Sequence, residues 1–417
     1  MTALLNEQSL RLETIVLDGS RLIETRRRLQ HGNDAILRRS HELLKKIADE
    51  WLIQGPWSVM EKEKAPPSGD MHDYTSQAPY WWPSPTLDGN PYVQRDGERN
   101  PEVLSYTDRV NVEKVFASSS ALGLAWFYTG NKAYAKHAAN IIRTWFINPE
   151  TRMNPNLNHA QLIPFANTGR HIGIIDFSQW YTTLLDIVVI LESGSSSGKS
   201  APGWRTEDMQ QFREWNRQFL KWLTQSEFGK AERAERNNHG SFASMLISAI
   251  ALFVGNKELV KQQALNIQED INEIIKPDGA LPEELRRTRS WHYSNFTLLA
   301  LTRLAMVAEK VGVDLWRYGG PHGQGITKAI EYIIPAATGK AIWAFEEYQF
   351  ERFAAADIIR AAADAGHKPS IEAIDKIEMP PEGDLWPLRP APEQLEPVKV
   401  IPKYVKEKLS MDNSINP

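Results

Sequence analysis

Apolar residues recur at the spacing of an α-helix along most of this chain. Near the N-terminus, residues 3–30 and 34–53 follow this spacing and predict a helical hairpin, with Asn33 or Asp34 capping its second helix. The same spacing later predicts helices over residues 108–128, 132–146, 175–191, 206–224, 238–253, 257–275, 288–311 and 325–334, and a last helical region over 343–365. The sequence shows no alternating strand pattern, so we expect an all-α protein.

Short polar turns separate several of the predicted helices. Residues 129–131 and 254–256 each contain a Gly-Asn pair, which is suited to end one helix and cap the next. Repeated helical hairpins of this kind close most naturally into an α/α toroid, here an incomplete barrel of about six or seven hairpins. We expect a single domain with this fold over residues 1–367.

Two stretches interrupt the helical spacing. Residues 55–104 combine prolines and glycines with clustered aromatic residues, which predicts a long but ordered irregular loop. This loop would form a wall of a sugar-binding cleft or would only cover the core. Residues 368–417 are rich in proline and predict an extended tail packed on the toroid, with Trp386, Leu388 and Val398 as anchors.

The composition restricts the kind of partner. Of the 417 residues, 42% are hydrophobic and 24% are charged, which is typical of a soluble globular protein. The net charge of −4 argues against nucleic-acid binding and requires any attraction for a polyanion to be local. Arginines do cluster, as Arg95 with Arg99, Arg233 with Arg236, and Arg286 with Arg287 and Arg289. The chain has no cysteine, which excludes disulfides and thiolate metal sites.

The N-terminus and the apolar segments bear on localisation. The first residues turn polar too early for a signal peptide, and the most apolar window, residues 245–254, is too short to cross a bilayer. As written, the chain is expected to be cytoplasmic and to have no membrane partner. It would be periplasmic or secreted if a leader has been removed. Its oligomeric state is left open.

The stretch with the most chemistry opens one of the longest predicted helices. On that helix Arg286, Arg289 and Tyr293 would share one face, because they are spaced at i, i+3 and i+7. Trp291 and His292 would lie beside them. A face with two guanidinium groups and a phenol suits an acidic ligand.

A second polar cluster, containing Asn238 and His239, opens the apolar helix 238–253. Removal of H5 from a hexuronate places negative charge on its carboxylate, and Asn238, His239 and an arginine could neutralise that charge. Tyr293 could then serve as base towards H5 and as acid towards O4. These two atoms lie on the same side of the ring in β-D-mannuronate and β-D-glucuronate.

The tyrosine would need help to act as a base near neutral pH. The positive charges of Arg286 and Arg289 would favour its phenolate. Because arginine and amide groups can neutralise the substrate carboxylate, this chemistry needs no metal or other cofactor. The histidines and carboxylates of the sequence also show no convincing metal-ligand spacing.

Several strings carry a resemblance to a known family. Ala-Pro-Tyr-Trp-Trp-Pro (78–83), Arg-Asp-Gly-Glu-Arg-Asn-Pro (95–101), Asn-Asn-His (237–239) and Glu-Leu-Arg-Arg with its later tyrosine (284–293) resemble the alginate lyase superfamily of polysaccharide lyases. The similarity is to its branch of alginate (polymannuronate) and glucuronan lyases and spans roughly residues 70–320. The resemblance implies an α/α toroid, an acidic polysaccharide or oligosaccharide substrate, neutralising groups at Asn238, His239 and Arg286, and a catalytic tyrosine at Tyr293.

Aromatic and cationic residues elsewhere would line the cleft, where rings stack on sugars and cations meet carboxylates. The expected substrate-binding residues are Tyr80, Trp81, Trp82, Arg95, Asn154, Arg170, His171, Arg289, Trp291 and His292.

Two other functions remain open at the level of sequence. A glycoside hydrolase on the same fold would need two carboxylates at the scissile bond, for which Asp176, Glu283 and Glu284 are available, although neighbouring arginines would hold the two glutamates ionised. A non-catalytic uronan-binding protein is the other possibility. The sequence does not distinguish mannuronan from glucuronan, endo from exo action, or which of the clustered arginines near residue 287 faces the site.

Overall fold

The computed structural model describes residues 12–86, 91–178, 180–195, 197–381 and 383–388. Its helices are α1 (Gly19–His31), α2 (Ala35–Leu52), α3 (Thr107–Thr129), α4 (Lys132–Phe146), α5 (Ile175–Ser178), α6 (Tyr181–Ser193), α7 (Thr206–Gln225), α8 (Glu227–Ala234), α9 (Asn238–Phe253), α10 (Lys257–Ile274), α11 (Pro282–Leu285), α12 (Ser290–Glu309), α13 (Ile326–Ala337), α14 (Ala356–Asp364) and α15 (Lys368–Ala373). Its strands are β1 (Thr75–Gln77), β2 (Trp81–Pro83), β3 (Tyr92–Gln94) and β4 (His159–Leu162).

The helices agree closely with the periodicity of the sequence. The expected all-α class is confirmed, and α4 and α9 have the predicted bounds. Asp34 caps α2 by accepting hydrogen bonds from the backbone N–H groups of Ile36 and Leu37, both at 3.1 Å. The first predicted helix begins only at Gly19, and its expected start, within residues 1–11, lies outside the described residues.

The two Gly-Asn turns have the expected roles. Gly130 adopts φ 72° after α3, and Asn131 then caps α4 by accepting from the N–H of Ala133 at 3.0 Å. Gly255, with φ 89°, and Asn256 repeat this arrangement between α9 and α10. A left-handed glycine followed by a capping asparagine reverses the chain within a few residues, so each pair of helices packs as a hairpin.

The long helices form an inner and an outer layer. The inner helices α3, α6, α9 and α12 contact one another in that order and are buried along most of their length. The outer helices α4, α7, α10 and α13 pack against them. An inner helix is covered on every side and is apolar all round, whereas an outer helix keeps one polar face. The N-terminal ends of α9 and α12 lie side by side, since Phe242 and Phe296 near these ends pack on each other.

The long loop before α3 contains short strands that the sequence analysis missed. β1 pairs in parallel with β4, and β2 pairs antiparallel with β3. The buried Asp108 holds this region to α3 by accepting from the Thr75 N–H at 2.9 Å and pairing with Lys62 at 3.2 Å. Burial raises the pKa of Asp108 to about 7, against the opposing effect of Lys62. The contacts of Asp108 thus join the loop to α3, in addition to the two strand pairings.

The C-terminal region differs from expectation at two points. Regular helix in the predicted region 343–365 is confined to α14, and residues 343–351 instead pack on the start of α12, where the Trp343 indole N–H donates to Ser290 Oγ at 2.8 Å. The tail predicted to be extended from residue 368 begins with α15. Leu388 is buried as the predicted anchor, whereas Val398 and residues 389–417 lie outside the described residues.

The described helices differ from a membrane span in length or polarity when each is taken singly. None of them alone is long and apolar enough to cross a membrane, and the bent pair His171–Ser178 and Tyr181–Ser193 meets the requirement together by length and composition only.

Candidate active site

The site forms where α9 and α12 begin next to each other. Between them lies the buried carboxylate of Glu284, which accepts from the backbone N–H of Asn238 at 2.7 Å and from the Thr297 hydroxyl at 2.8 Å. Phe242 and Phe296, one turn further along the two helices, pack with ring centroids 4.2 Å apart. These contacts fix His239 and Tyr293 on the same rim of the inner layer.

Tyr293 lies at the centre of this rim and is 5% exposed. Its hydroxyl oxygen is 2.8 Å from that of Tyr80, which directly precedes β2. The guanidinium of Arg287 stacks on the Tyr293 ring, 3.7 Å from its centroid. Although burial lowers the pKa of Arg287, Tyr293 and Asp96 raise it above its ordinary value, so the arginine stays charged beside the phenol.

Asp96 holds Arg287 in this position. The Nε and Nη2 groups of Arg287 donate to the Asp96 carboxylate at 3.0 and 2.6 Å, a bidentate pair. Burial raises the pKa of Asp96, but its bonds to Arg287 bring the pKa below its ordinary value. Gly97 allows the close approach, because a Cβ there would lie 2.5 Å from the hydroxyl of Thr288. The β2–β3 hairpin is thereby fixed against the segment before α12.

A buried carboxylate joins two histidines on the other side of the site. Glu232 accepts from Nδ1 of His239 at 2.8 Å and from Nδ1 of His171 at 3.0 Å. Burial lowers the pKa of His239, but Glu232, and after it Glu284, raise it above its ordinary value against the opposing charge of Arg287. Burial raises the pKa of Glu232, but the histidines hold it below its ordinary value. With Nδ1 engaged, Nε2 of His239 is the ring nitrogen left for a ligand.

Aromatic residues of the hairpin form a wall of the site together with arginines. Arg170 lies over the Trp81 ring at 5.8 Å and donates through Nε to the carbonyl of Gln161 at 3.0 Å. Burial lowers the pKa of Arg170. The next residue of β2 is Trp82, and the Arg95 guanidinium lies 5.2 Å from the centroid of its ring. The structure thus brings together Tyr80, Trp81, Arg170, His171, His239 and Tyr293, as the sequence analysis expected.

The expected helix face of arginines is wrong. Regular helix α12 begins only at Ser290, and Arg286 lies just after the short helix α11, so Arg286, Arg289 and Tyr293 do not share a helix face. The Arg286 side chain is 69% exposed and pairs with Glu283, whereas Arg287 contacts the tyrosine. The interruption between α11 and α12 turns Arg287 inward, which no periodic pattern could indicate.

Two other expected contact residues, Trp291 and His292, are buried in the protein. The Trp291 indole is buried, packs against Trp343 and Phe350, and donates to the Glu351 carbonyl at 2.7 Å. Its face is therefore not available for stacking on a sugar. His292 is buried against Phe296 with ring centroids 5.5 Å apart.

Two expected polar site residues, Asn154 and Asn238, are hydrogen-bonded to other protein groups. The Asn154 amide donates to Asp70 and Asp73 at 3.0 and 2.9 Å. The buried Asn238 amide donates to the Glu284 carboxylate, with the shorter distance being 3.1 Å. Asn238 thus links α9 to Glu284 of α11, which in turn accepts from Thr297 of α12.

The carboxylates that a hydrolase would need have other partners. Asp176 is buried and accepts from Arg109 at 2.5 Å and from the Tyr74 hydroxyl at 3.0 Å. The expected lowering of the Glu284 pKa by neighbouring arginines is outweighed, because burial raises that pKa above its ordinary value against the opposing effects of Thr297, Asn238 and Arg287. Among the residues that the structure describes, no three histidine, aspartate or glutamate side chains form a group that could hold a metal ion.

Three residues of the site were missed as functional. The sequence analysis did not decide whether Arg287 or a neighbouring arginine faces the site. It named Asp96 only as part of the string 95–101, and it did not name Glu232. Glu232 and His239 are seven residues apart, which is a same-face spacing on a continuous helix, but α8 ends between them. A search for acidic residues seven positions before His239 could have found Glu232.

These observations define a class of all-α protein with two helical layers, in which a tyrosine, an arginine and a carboxylate-bound histidine pair lie near one another. The alginate lyase family model matches residues 58–343, and the chain belongs to that family. Among curated proteins it is similar to an alginate lyase of Pseudomonas syringae pv. tomato, with 31% identity over 222 residues. An alginate lyase of Pseudomonas syringae pv. syringae is 24% identical over 222 residues. These matches cover 53% of this chain and 45% of each relative.

Solved structures agree with this assignment. A crystal structure of an alginate lyase from Bacteroides ovatus matches with a TM-score of 0.84 and 28% identity, covering 92% of this chain and all 100% of that one. Alginate lyase A1-III from Sphingomonas species A1 matches with a TM-score of 0.54 and 17% identity, over 93% of this chain and 99% of that one. At this identity the second match shows the fold alone.

Proposed function

We propose that this protein is a polysaccharide lyase that cleaves a β-1,4-linked uronan, polymannuronate or glucuronan, by syn β-elimination. Its membership of the alginate lyase family supports this proposal. So does the shared fold with alginate lyase A1-III, a protein that has been crystallised with a tetrasaccharide. The product would carry a 4,5-unsaturated uronosyl unit at its new non-reducing end.

The contact between Tyr293, Tyr80 and Arg287 carries the proposal. The charged guanidinium 3.7 Å from the Tyr293 ring favours the phenolate, and the Tyr80 hydroxyl at 2.8 Å stabilises it by a hydrogen bond. The phenolate takes H5, the C5–H electron pair forms the C4–C5 double bond, and the bond from C4 to O4 breaks. The phenol then returns its proton to O4, so that one residue performs both transfers.

We assign neutralisation of the substrate carboxylate to His239. Glu232 and Glu284 raise its pKa and favour the imidazolium, whose Nε2–H can donate to the carboxylate as charge develops there. The sequence analysis instead assigned neutralisation of the carboxylate to Asn238, His239 and Arg286 together. The amide of Asn238 is directed at Glu284, and Arg286 pairs with Glu283.

The direct test is ultraviolet absorbance, which reports the new double bond. Purified protein would be incubated separately with polymannuronate, polyguluronate and glucuronan. We expect absorbance to rise with polymannuronate or glucuronan and to identify the substrate. Release of reducing ends without any absorbance would instead indicate a hydrolase, and neither signal on any of the three polymers would contradict the proposed activity.

Replacing Glu232 by glutamine should shift the pH dependence of the reaction. His239 must be protonated to neutralise the carboxylate, so activity is lost as pH rises through its raised pKa. Without the negative charge of Glu232 that pKa falls, and the alkaline limb of kcat/KM moves to lower pH. At neutral pH we expect kcat/KM to fall about 10- to 100-fold, as for loss of a hydrogen bond to a charged group.

The matched control for this shift is Glu235→Gln. Glu235 lies 3.9 Å from Nε2 of His171 and accepts a hydrogen bond from the Asn237 amide, whereas Glu232 is the carboxylate bonded to His239. Its replacement should leave the alkaline limb in place. An unchanged pH profile in Glu232→Gln would contradict the role given to the imidazolium.

A further inference from the structure

A tight turn beside the site presents an aromatic ring to solvent. Ala166 donates its backbone N–H to the Ile163 carbonyl at 2.9 Å, which closes a four-residue turn with Pro164 in its second position. Phe165 occupies the third position with φ 74°. Proline followed by a residue of positive φ is the arrangement of a type II turn, where glycine or asparagine normally takes the third position.

Phe165 is therefore in an unfavourable backbone conformation without a compensating gain from burial. Left-handed φ is disfavoured for L residues, and a bulky side chain there is an outlier. Phe165 is 84% exposed, so burial in the core cannot explain its presence. Among the described residues, one other non-glycine has positive φ, Gln161 in β4, and its carbonyl positions Arg170 over Trp81. An unfavourable backbone conformation at an exposed residue is a reason to look for a functional role of that residue.

Backbone hydrogen bonds and a closely packed glycine join the base of the turn to β4 and to Asn158. Arg170 and Gly169 donate their backbone N–H groups to the carbonyls of Ala160 and Asn158 at 3.0 and 2.9 Å. Gly169 packs so closely that a Cβ would lie 2.4 Å from the Ala160 carbonyl oxygen. The base of the loop is thus bonded to β4, and Phe165 projects from the tip of the loop.

The exposed ring is continuous with the proposed cleft. It packs on Tyr92 with ring centroids 6.3 Å apart, and Tyr92 pairs with Pro83 in the β2–β3 hairpin. Pro83 follows Tyr80 by three residues, about 10 Å along a strand. Tyr80 in turn contacts Tyr293. A saccharide chain that leaves Tyr293 along the outer part of this hairpin would therefore reach Phe165.

We propose that Phe165 is a stacking platform for a sugar unit of the bound uronan, at a subsite distant from the bond that is cleaved. This inference rests on the proposed function. The ring offers an uncharged face to the C–H groups of a pyranose, and the unit's carboxylate can stay in water at the edge. The platform lengthens the binding site and so favours long chains over short ones.

The test compares Phe165→Ala with the parent protein on a long polymer and on the shortest oligosaccharide that the enzyme cleaves. For the polymer, kcat/KM falls about 3- to 10-fold through KM, the scale of one lost aromatic contact. For the short substrate, kcat and KM stay the same, because its units do not reach the platform. Loss of kcat/KM to the same extent on both substrates, or on neither, overturns the proposal.

Two further variants separate binding from folding. Phe165→Gly places the preferred residue in the turn, so the thermal midpoint rises or stays equal while polymer KM increases as in Phe165→Ala. Ile53→Ala, at an equally exposed apolar residue (87%) after α2, leaves polymer KM unchanged. If Phe165→Ala changes the oligomeric state in sedimentation and leaves polymer KM unaltered, the ring covers a protein contact and the platform is refuted.

Binding of uncleaved polymer to Tyr293→Phe tests the platform without catalysis. In that background Phe165→Ala weakens polymer binding about 3- to 10-fold. Unchanged affinity refutes the platform. A Phe165-dependent affinity together with no unsaturated product from the parent protein supports the platform and refutes only the lyase assignment.

Discussion

Replacement of Tyr293 by phenylalanine is expected to abolish formation of unsaturated product. General acid–base catalysis contributes about 10²- to 10⁴-fold, and one hydroxyl serves here as both base and acid, so the loss should be at the upper end. The variant keeps the aromatic ring on which Arg287 stacks. Its fold and its affinity for uncleaved polymer should therefore stay close to those of the parent protein. Initial rates of absorbance and a separate binding measurement would check both statements.

Tyr80→Phe is the matched control for this change. It removes the hydroxyl that lies 2.8 Å from that of Tyr293 but leaves the proposed base in place. We expect a smaller loss of kcat, because only one hydrogen bond to the phenolate disappears. Activity above one tenth of the parent value in Tyr293→Phe, or a larger loss in Tyr80→Phe, would contradict the assignment of the base.

His239→Ala should have the second-largest effect. Removal of one preorganised donor to a developing oxyanion costs about 10²- to 10³-fold in kcat. The effect should appear mainly in kcat, since charge on the carboxylate grows towards the transition state. Glu232 would be left buried with only His171 as a partner, so the thermal midpoint must be measured alongside the kinetics.

His171→Ala distinguishes the two histidines. Both histidines donate through Nδ1 to the same carboxylate of Glu232, but His239 lies in the first turn of α9 beside Glu284, and the charge of Arg287 acts on it. We therefore expect a smaller loss of kcat from His171→Ala than from His239→Ala. The reverse order would assign neutralisation of the substrate to His171.

The helices and the general location of the site were predictable, because both depend on neighbours in the chain. Apolar spacing identified α4 and α9 to the residue, and the Gly-Asn pairs identified the turns before α4 and α10. The short helices α8 and α11 were missed, since four to eight residues contain too little periodicity to detect. The small strands β1 and β4 were missed because they pair across a distance of more than eighty residues.

The sequence by itself determined the helical class, the resemblance to a family of uronan lyases, and the choice of Tyr293 and His239. Only the tertiary structure decided that Arg287 rather than Arg286 stacks on the tyrosine, that Trp291 belongs to the core, and that Glu232 joins two histidines. The physical reason is that local patterns specify helices, whereas the partner of a charge or a ring depends on which distant segments the folded chain brings together. At this site the break before α12 and the position of Asp96, just after β3, determine that Arg287 contacts the tyrosine.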